Sequence, residues 1–136
     1  MTQRPQHKDA PSSRYAAGQA PFVPAWPVEV DLHLHTTASD GTLSPARLMD
    51  LIGATGLKIV AITDHDSTAG IDEALAHAAG LPRLTVVPGI ELGTEDGDSE
   101  IHLLGYFINY RSRELLDTLT RFREERVEAA RHTVRK

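Results

Sequence analysis

The chain has no cysteine among its 136 residues, which excludes a disulfide framework and any metal site built on thiolates. It also has no apolar run long enough to serve as a signal or membrane segment. With no export signal, the cytoplasm is the default location and no membrane partner is expected. Proline is scarce beyond the beginning, since five of the eight prolines lie in residues 1–27. Mixed with Ala, Gly, Ser and Gln, that stretch reads as an extended, poorly ordered tail. What remains, residues 28–136, is long enough for one domain with a real core.

Positive charge is scarce where it matters. Residues 28–111 hold 4 Lys or Arg against 13 Asp or Glu, a balance of −9, whereas the two flanking segments each carry +2. Concentrated negative charge opposes a compact state unless something compensates it. Solvated loops could do so, and so could two or three divalent cations. A large nucleic acid duplex is a poor partner for such a surface.

Against these absences stands the run Val28–Gly41, VEVDLHLHTTASDG. Val28, Val30, Leu32 and Leu34 alternate with period two, as in a strand. His33 and His35 close it, and residues two apart on a strand share a face about 6.6 Å apart. Two imidazoles so placed can grip one metal ion, or can be a pair of partly buried core histidines. Asp40 and Gly41 follow in a turn.

Beyond this run the chain alternates. Ser44-Pro45 predicts a helix start, with Leu48, Leu51 and Ile52 on its apolar side and an end near Gly56. LKIVAITDHD reads as a strand buried on both faces, followed by a polar burst. Residues 70–79 predict a short helix, and LTVVPGIELG a third strand with Glu91 at its end. An acidic turn over 94–100 leads into IHLLGYFI, a fourth strand. From Ser112 onward, Leu115, Leu119, Phe122, Val127, Ala130 and Val134 give helical spacing with a charged, solvated face. Strand–helix alternation argues for a parallel α/β sheet, whose chemistry gathers at the carboxyl ends of the strands. His33, His35, Asp64, His65, Asp66 and Glu91 fall at such ends, while His102 lies inside the fourth strand.

The order and spacing of these motifs are specific. His65 lies 25 residues after Asp40, and Glu91 lies 26 after His65. DLHLHTTASDG, ITDHD, PGIELG and IHLLGYF resemble the successive motifs of the PHP (polymerase and histidinol phosphatase) family. The branch most similar is the bacterial one acting on nucleoside 3′,5′-bisphosphates and on the 5′ ends of short RNA. The resemblance spans residues 28 to about 110 and implies a distorted (β/α)7 barrel with two or three divalent ions. Mn²⁺ is preferred, with Zn²⁺ or Fe²⁺ as alternatives suited to the same ligand types.

Carried over position by position, the resemblance implies that His33, His35 and Glu91 hold one ion. Glu91 bridges to a second ion bound by His102, and Asp40 and His65 hold the third. Asp31, Asp64 and Asp66 would support imidazoles or water, although turn formation and helix capping account equally well for Asp64 and Asp66. His7, His77 and His132 match no motif and are expected at the surface.

The chemistry so implied is hydrolysis of phosphate esters of nucleotides or short oligonucleotides by a metal-bound hydroxide, with no Ser or Cys nucleophile. A noncatalytic PHP module and an amidohydrolase-like C–N hydrolase are the alternatives. The latter would want a bridging lysine, and Lys58 starts the second strand at the wrong end. Family members continue for well over a hundred residues, so residues 28–136 read as the N-terminal half of an incomplete barrel. Taken alone, that half is expected to bind metal weakly and to show little activity.

Overall fold

The computed structural model describes residues 28–96 and 99–134. The expected proline-rich tail, residues 1–27 with His7, and the centre of the acidic turn, residues 97–98, lie outside the described residues, as does the side chain of His132. Seven elements follow in order: β1 (Val30–Leu34), α1 (Pro45–Gly53), β2 (Ile59–Ile62), α2 (Ile71–Ala78), β3 (Thr85–Asp96), β4 (Ser99–Tyr106) and α3 (Arg113–Val134).

Helix α1 starts where its sequence predicts. Ser44 is extended, its hydroxyl accepts the Arg47 N–H at 3.3 Å, and Pro45 occupies the first turn. The helix ends at Gly53, short of the predicted Gly56. The Thr55 N–H and hydroxyl both donate to the Ile52 carbonyl, so the closing carbonyls need no left-handed glycine. Leu48, Met49 and Ile52 face inward against Ile71, Ala74 and Ala78 of α2 and Val60 and Ile62 of β2. Each large side chain buried there contributes about 1.5–3 kcal/mol.

Helix α2 starts at Gly70, which offers no side-chain cap. A β-carbon there would sit 2.9 Å from Thr36 Oγ1 and 3.0 Å from Asp64 Oδ2, so close packing on that pair requires glycine. The missing cap is offset by Asp72 and Glu73 in the first turn. Glu73 also accepts the Ala46 N–H at 3.1 Å, joining the two helix starts.

The strands lie in the order β1-β2-β3-β4. β1, β2 and the first half of β3 are parallel. β4 departs from the parallel expectation and pairs antiparallel with β3 from Gly89–Tyr106 to Asp96–Ser99. Most of the predicted acidic turn is therefore strand. The reason is length, because a parallel return needs about a dozen connecting residues whereas a hairpin needs two.

β1 has a further irregularity. Asp31 pairs with Val60 and Leu34 with Ile62, so three steps on β1 oppose two on β2. This is a bulge at Leu32–His33, of the kind that redirects a side chain beside a functional site. The Asp31 carboxylate accepts the His33 N–H there at 3.2 Å. In α3, Leu119 is buried, whereas Phe122 and Val127 of its apolar stripe stay exposed. No helix among the described residues is long and apolar enough to cross a membrane.

Candidate metal centre

Two backbone ties assemble the site. Thr63 N–H donates to the Leu34 carbonyl at 2.8 Å, setting the end of β1 beside the end of β2. Past that point the β2 line continues as a single bridge between His65 and Glu91. Asp66 N–H donates to the Glu91 carbonyl at 2.9 Å, and Glu91 N–H to the Asp64 carbonyl at 3.3 Å. On the other side, β4 pairs His102 with Gly93 and Leu104 with Glu91.

Glu91 is the hub. Its side chain is 3% exposed, and four imidazoles surround it. Oε2 lies 2.8 Å from His33 Nε2, 2.9 Å from His35 Nε2 and 3.5 Å from His65 Nε2, while Oε1 lies 2.7 Å from His102 Nδ1. Burial pushes the Glu91 carboxyl up; the His33 hydrogen bond and the charges of His65, His33 and His35 outweigh it, so it sits below its ordinary value. The rings form a row, with centroids 5.0 Å apart for His33–His35, 4.6 Å for His35–His65 and 4.9 Å for His65–His102.

Asp40 stands at the outer edge, mostly exposed. Its Oδ1 is 2.8 Å from His35 Nδ1, and Oδ2 is 3.8 Å from His65 Nε2. The hydrogen bond from His35 holds its carboxyl below the usual range against weak desolvation. A carboxylate on Nδ1 of an imidazole whose Nε2 faces the centre is the arrangement that orients metal-binding histidines.

Three overlapping groups have donor atoms within 4.8 Å of one another: His33, His35 and Glu91; His35, Asp40 and His65; His65, Glu91 and His102. Ligand bonds of about 2.0–2.2 Å place two ligands of one ion at most about 4.4 Å apart, so the donor atoms of each group lie near the spacing that a divalent ion requires. The residues shared between groups, His35, His65 and Glu91, make the division less discrete than the partition the resemblance implies. All six side chains that it names lie together.

The three aspartates expected to support imidazoles or water contact other groups instead. Asp31 serves the β1 bulge. Asp64 is 1% exposed and accepts Thr36 N–H at 2.7 Å, Thr36 hydroxyl at 2.8 Å and Ser39 hydroxyl at 2.6 Å, anchoring the loop that carries Asp40. Asp66 pairs with Arg126. His77, expected at the surface, is partly exposed and contacts Asp50 at 2.6 Å. Thr36, Ser39 and Arg126 are the contributors that the motif reading passes over. The first two could have been noticed as hydroxyls between HxH and Asp40, whereas Arg126 carries no local signal.

The PHP domain model matches residues 31–132. The chain belongs to the PHP domain family. A 3′,5′-nucleoside bisphosphate phosphatase of Chromobacterium violaceum is 38% identical over 104 residues, covering 75% of this chain and 35% of that protein. The 5′-3′ exoribonuclease Rnm of Escherichia coli is 38% identical over 102 residues, covering 74% and 34%. Among solved structures, a Chromobacterium violaceum protein described as an amidohydrolase, with sulfate and no metal, superposes with TM-score 0.71 at 35% identity, covering 77% of this chain and 37% of that one. The PHP chain thus spans about a third of the length of these relatives, and its four-stranded sheet is part of a PHP (β/α) barrel.

Proposed function

We propose that this PHP chain carries metal ligands of a phosphoesterase acting on phosphorylated nucleotides or short oligonucleotides. The observation that carries the reading is the buried Glu91 carboxylate ringed by four imidazoles, a donor set without sulfur that suits two or three divalent ions, Mn²⁺ preferred. His33, His35 and Glu91 would hold one ion, Glu91 and His102 a second, and Asp40 with His65 a third.

Ions held by these residues would supply Lewis acidity toward a phosphate ester and a water. The protein's own contribution is placement. The β1 bulge and the Asp64 anchor fix where His33, His35 and Asp40 project, and the β3–β4 register fixes Glu91 against His102. His33 and His102 are half-exposed, leaving the cluster open to a flexible phosphorylated end; the acidic segment around it opposes a duplex.

The relatives' names support phosphate-ester substrates. A C–N hydrolase is less well supported. Lys58, the one lysine among the described residues, pairs with Glu29 before the start of β2, far along the strand from the histidines.

The test is metal removal. The intact protein, stripped with EDTA, is expected to lose hydrolysis of 3′,5′-bisphosphonucleosides and 5′-phosphorylated short RNA and to regain it with Mn²⁺. Glu91→Gln is expected to bind too little Mn²⁺ to recover. EDTA-insensitive hydrolysis, or a preference for a dihydro-orotate-type amide, would overturn the reading.

A further inference from the structure

Most of α3 makes little use of its apolar stripe, yet one of its charged residues reaches into the region of the imidazoles. Arg126 Nη1 lies 2.5 Å from Asp66 Oδ2, and its Nη2 donates to the Gly93 carbonyl at 2.8 Å. These acceptors sit on two different segments. Asp66 directly follows His65, and Gly93 lies two residues beyond Glu91. Because the Asp66 N–H donates to the Glu91 carbonyl, the guanidinium closes a ring that runs from Asp66 through Glu91 to Gly93. Glu91 lies within that ring and His65 directly adjoins it.

Asp66 needs such a partner. Its φ of 46° is uncommon for a residue with a side chain. Its carboxylate is 5% exposed, and Oδ1 meets no donor among the described residues. A strained backbone and a buried carboxylate persist together only where the surroundings hold them. Asp66 belongs to none of the three ligand groups, although it adjoins His65.

We propose that Arg126 is a positioning residue for the metal centre. It sets the spacing of His65 against Glu91 and engages Asp66 so that this carboxylate does not compete for the imidazoles or the ions. The inference rests on the metal-centre reading above and adds to it a residue on a different element, more than thirty positions beyond Glu91.

The experiment titrates the intact, metal-free protein with Mn²⁺ by calorimetry and records the visible spectrum of its Co²⁺ form. Arg126→Ala is expected to weaken at least one Mn²⁺ site about tenfold and to change the Co²⁺ bands. Arg126→Lys keeps a charge beside Asp66 without the fork to Gly93, and is expected to recover part of the loss. Adding Asp66→Asn to Arg126→Ala is expected to cost nothing more, because the two act as a unit. Should Arg126→Ala not fold, Gly93→Ala replaces it: a β-carbon there would collide with the guanidinium and displace it with no change of charge, and the same weakening is expected. A folded Arg126→Ala or Gly93→Ala protein with wild-type Mn²⁺ affinity and an unchanged Co²⁺ spectrum overturns the inference, even if its Tm falls. If His35→Ala abolishes binding in that situation, the metal-centre reading survives alone. If the wild-type protein takes up neither ion, both fall.

Discussion

At the scale of single residues, the centre depends on two buried carboxylates with opposite duties. Glu91 faces imidazoles, and Asp64 faces hydroxyls and a backbone N–H. Asp64→Asn keeps the size but sets an amide against donors that need an acceptor, a conflict worth about 1–3 kcal/mol. Urea denaturation is expected to show a loss in that range, and Mn²⁺ affinity is expected to fall with it as the Asp40 loop loosens. His33, His35, His65 and Glu91 were legible in the sequence because they close recognisable apolar runs, whereas His102, inside β4, was legible only through the motif that contains it. The acceptor role of Asp64 was not, since its partners Thr36 and Ser39 lie 28 and 25 residues earlier, and hydroxyls between HxH and Asp40 do not say which carboxylate they face. Arg126 was hidden altogether, as one arginine among several on a charged helix.

At the scale of elements, the caps and buried runs made α1, α2, β2 and most of β3 readable, while two features escaped. The bulge in β1 depends on its pairing with β2, which no pattern within β1 records. The direction of β4 was in principle available from the short connection before it. Between α2 and the segment leading to α3, Asp72 Oδ1 accepts Tyr110 hydroxyl at 2.9 Å and Arg111 Nη2 at 2.6 Å. The Arg111 contact, then Tyr110, holds the Asp72 carboxyl below its ordinary value. The folded state therefore takes up this proton less readily than the unfolded chain. The stabilisation is fully present above about pH 4 and is lost as pH falls through the lower folded value. Asp72→Asn is expected to flatten the stability profile in that acid range and to leave it unchanged in shape near neutrality, as read by thermal melts from pH 2 to 7.

At the scale of the whole molecule, both borders of the sheet carry apolar side chains. Val30 and Leu32 are exposed on β1, and Ile101, Leu103 and Leu104 on β4. Uncovered strand borders invite pairing with other chains. The 136-residue chain by itself is expected to sediment as a mixture of associated species, and Leu103→Lys to shift it toward monomer in analytical ultracentrifugation. Unchanged association would show that these borders are not what brings copies together.

The long strand β3 has a consequence for how ion spacing is encoded. It takes its alignment from β2 up to Pro88 and from β4 thereafter, so it acts as a ruler read from both ends. The distance between Glu91 and His102 is counted out in rungs of the hairpin, starting at Gly89 and Tyr106. A slip of a single rung would carry the His102 ring to the opposite face while the apolar interior kept its packing. The grip of Glu91 and His102 on a common ion would thus be lost in a protein that still looks folded by every bulk measure.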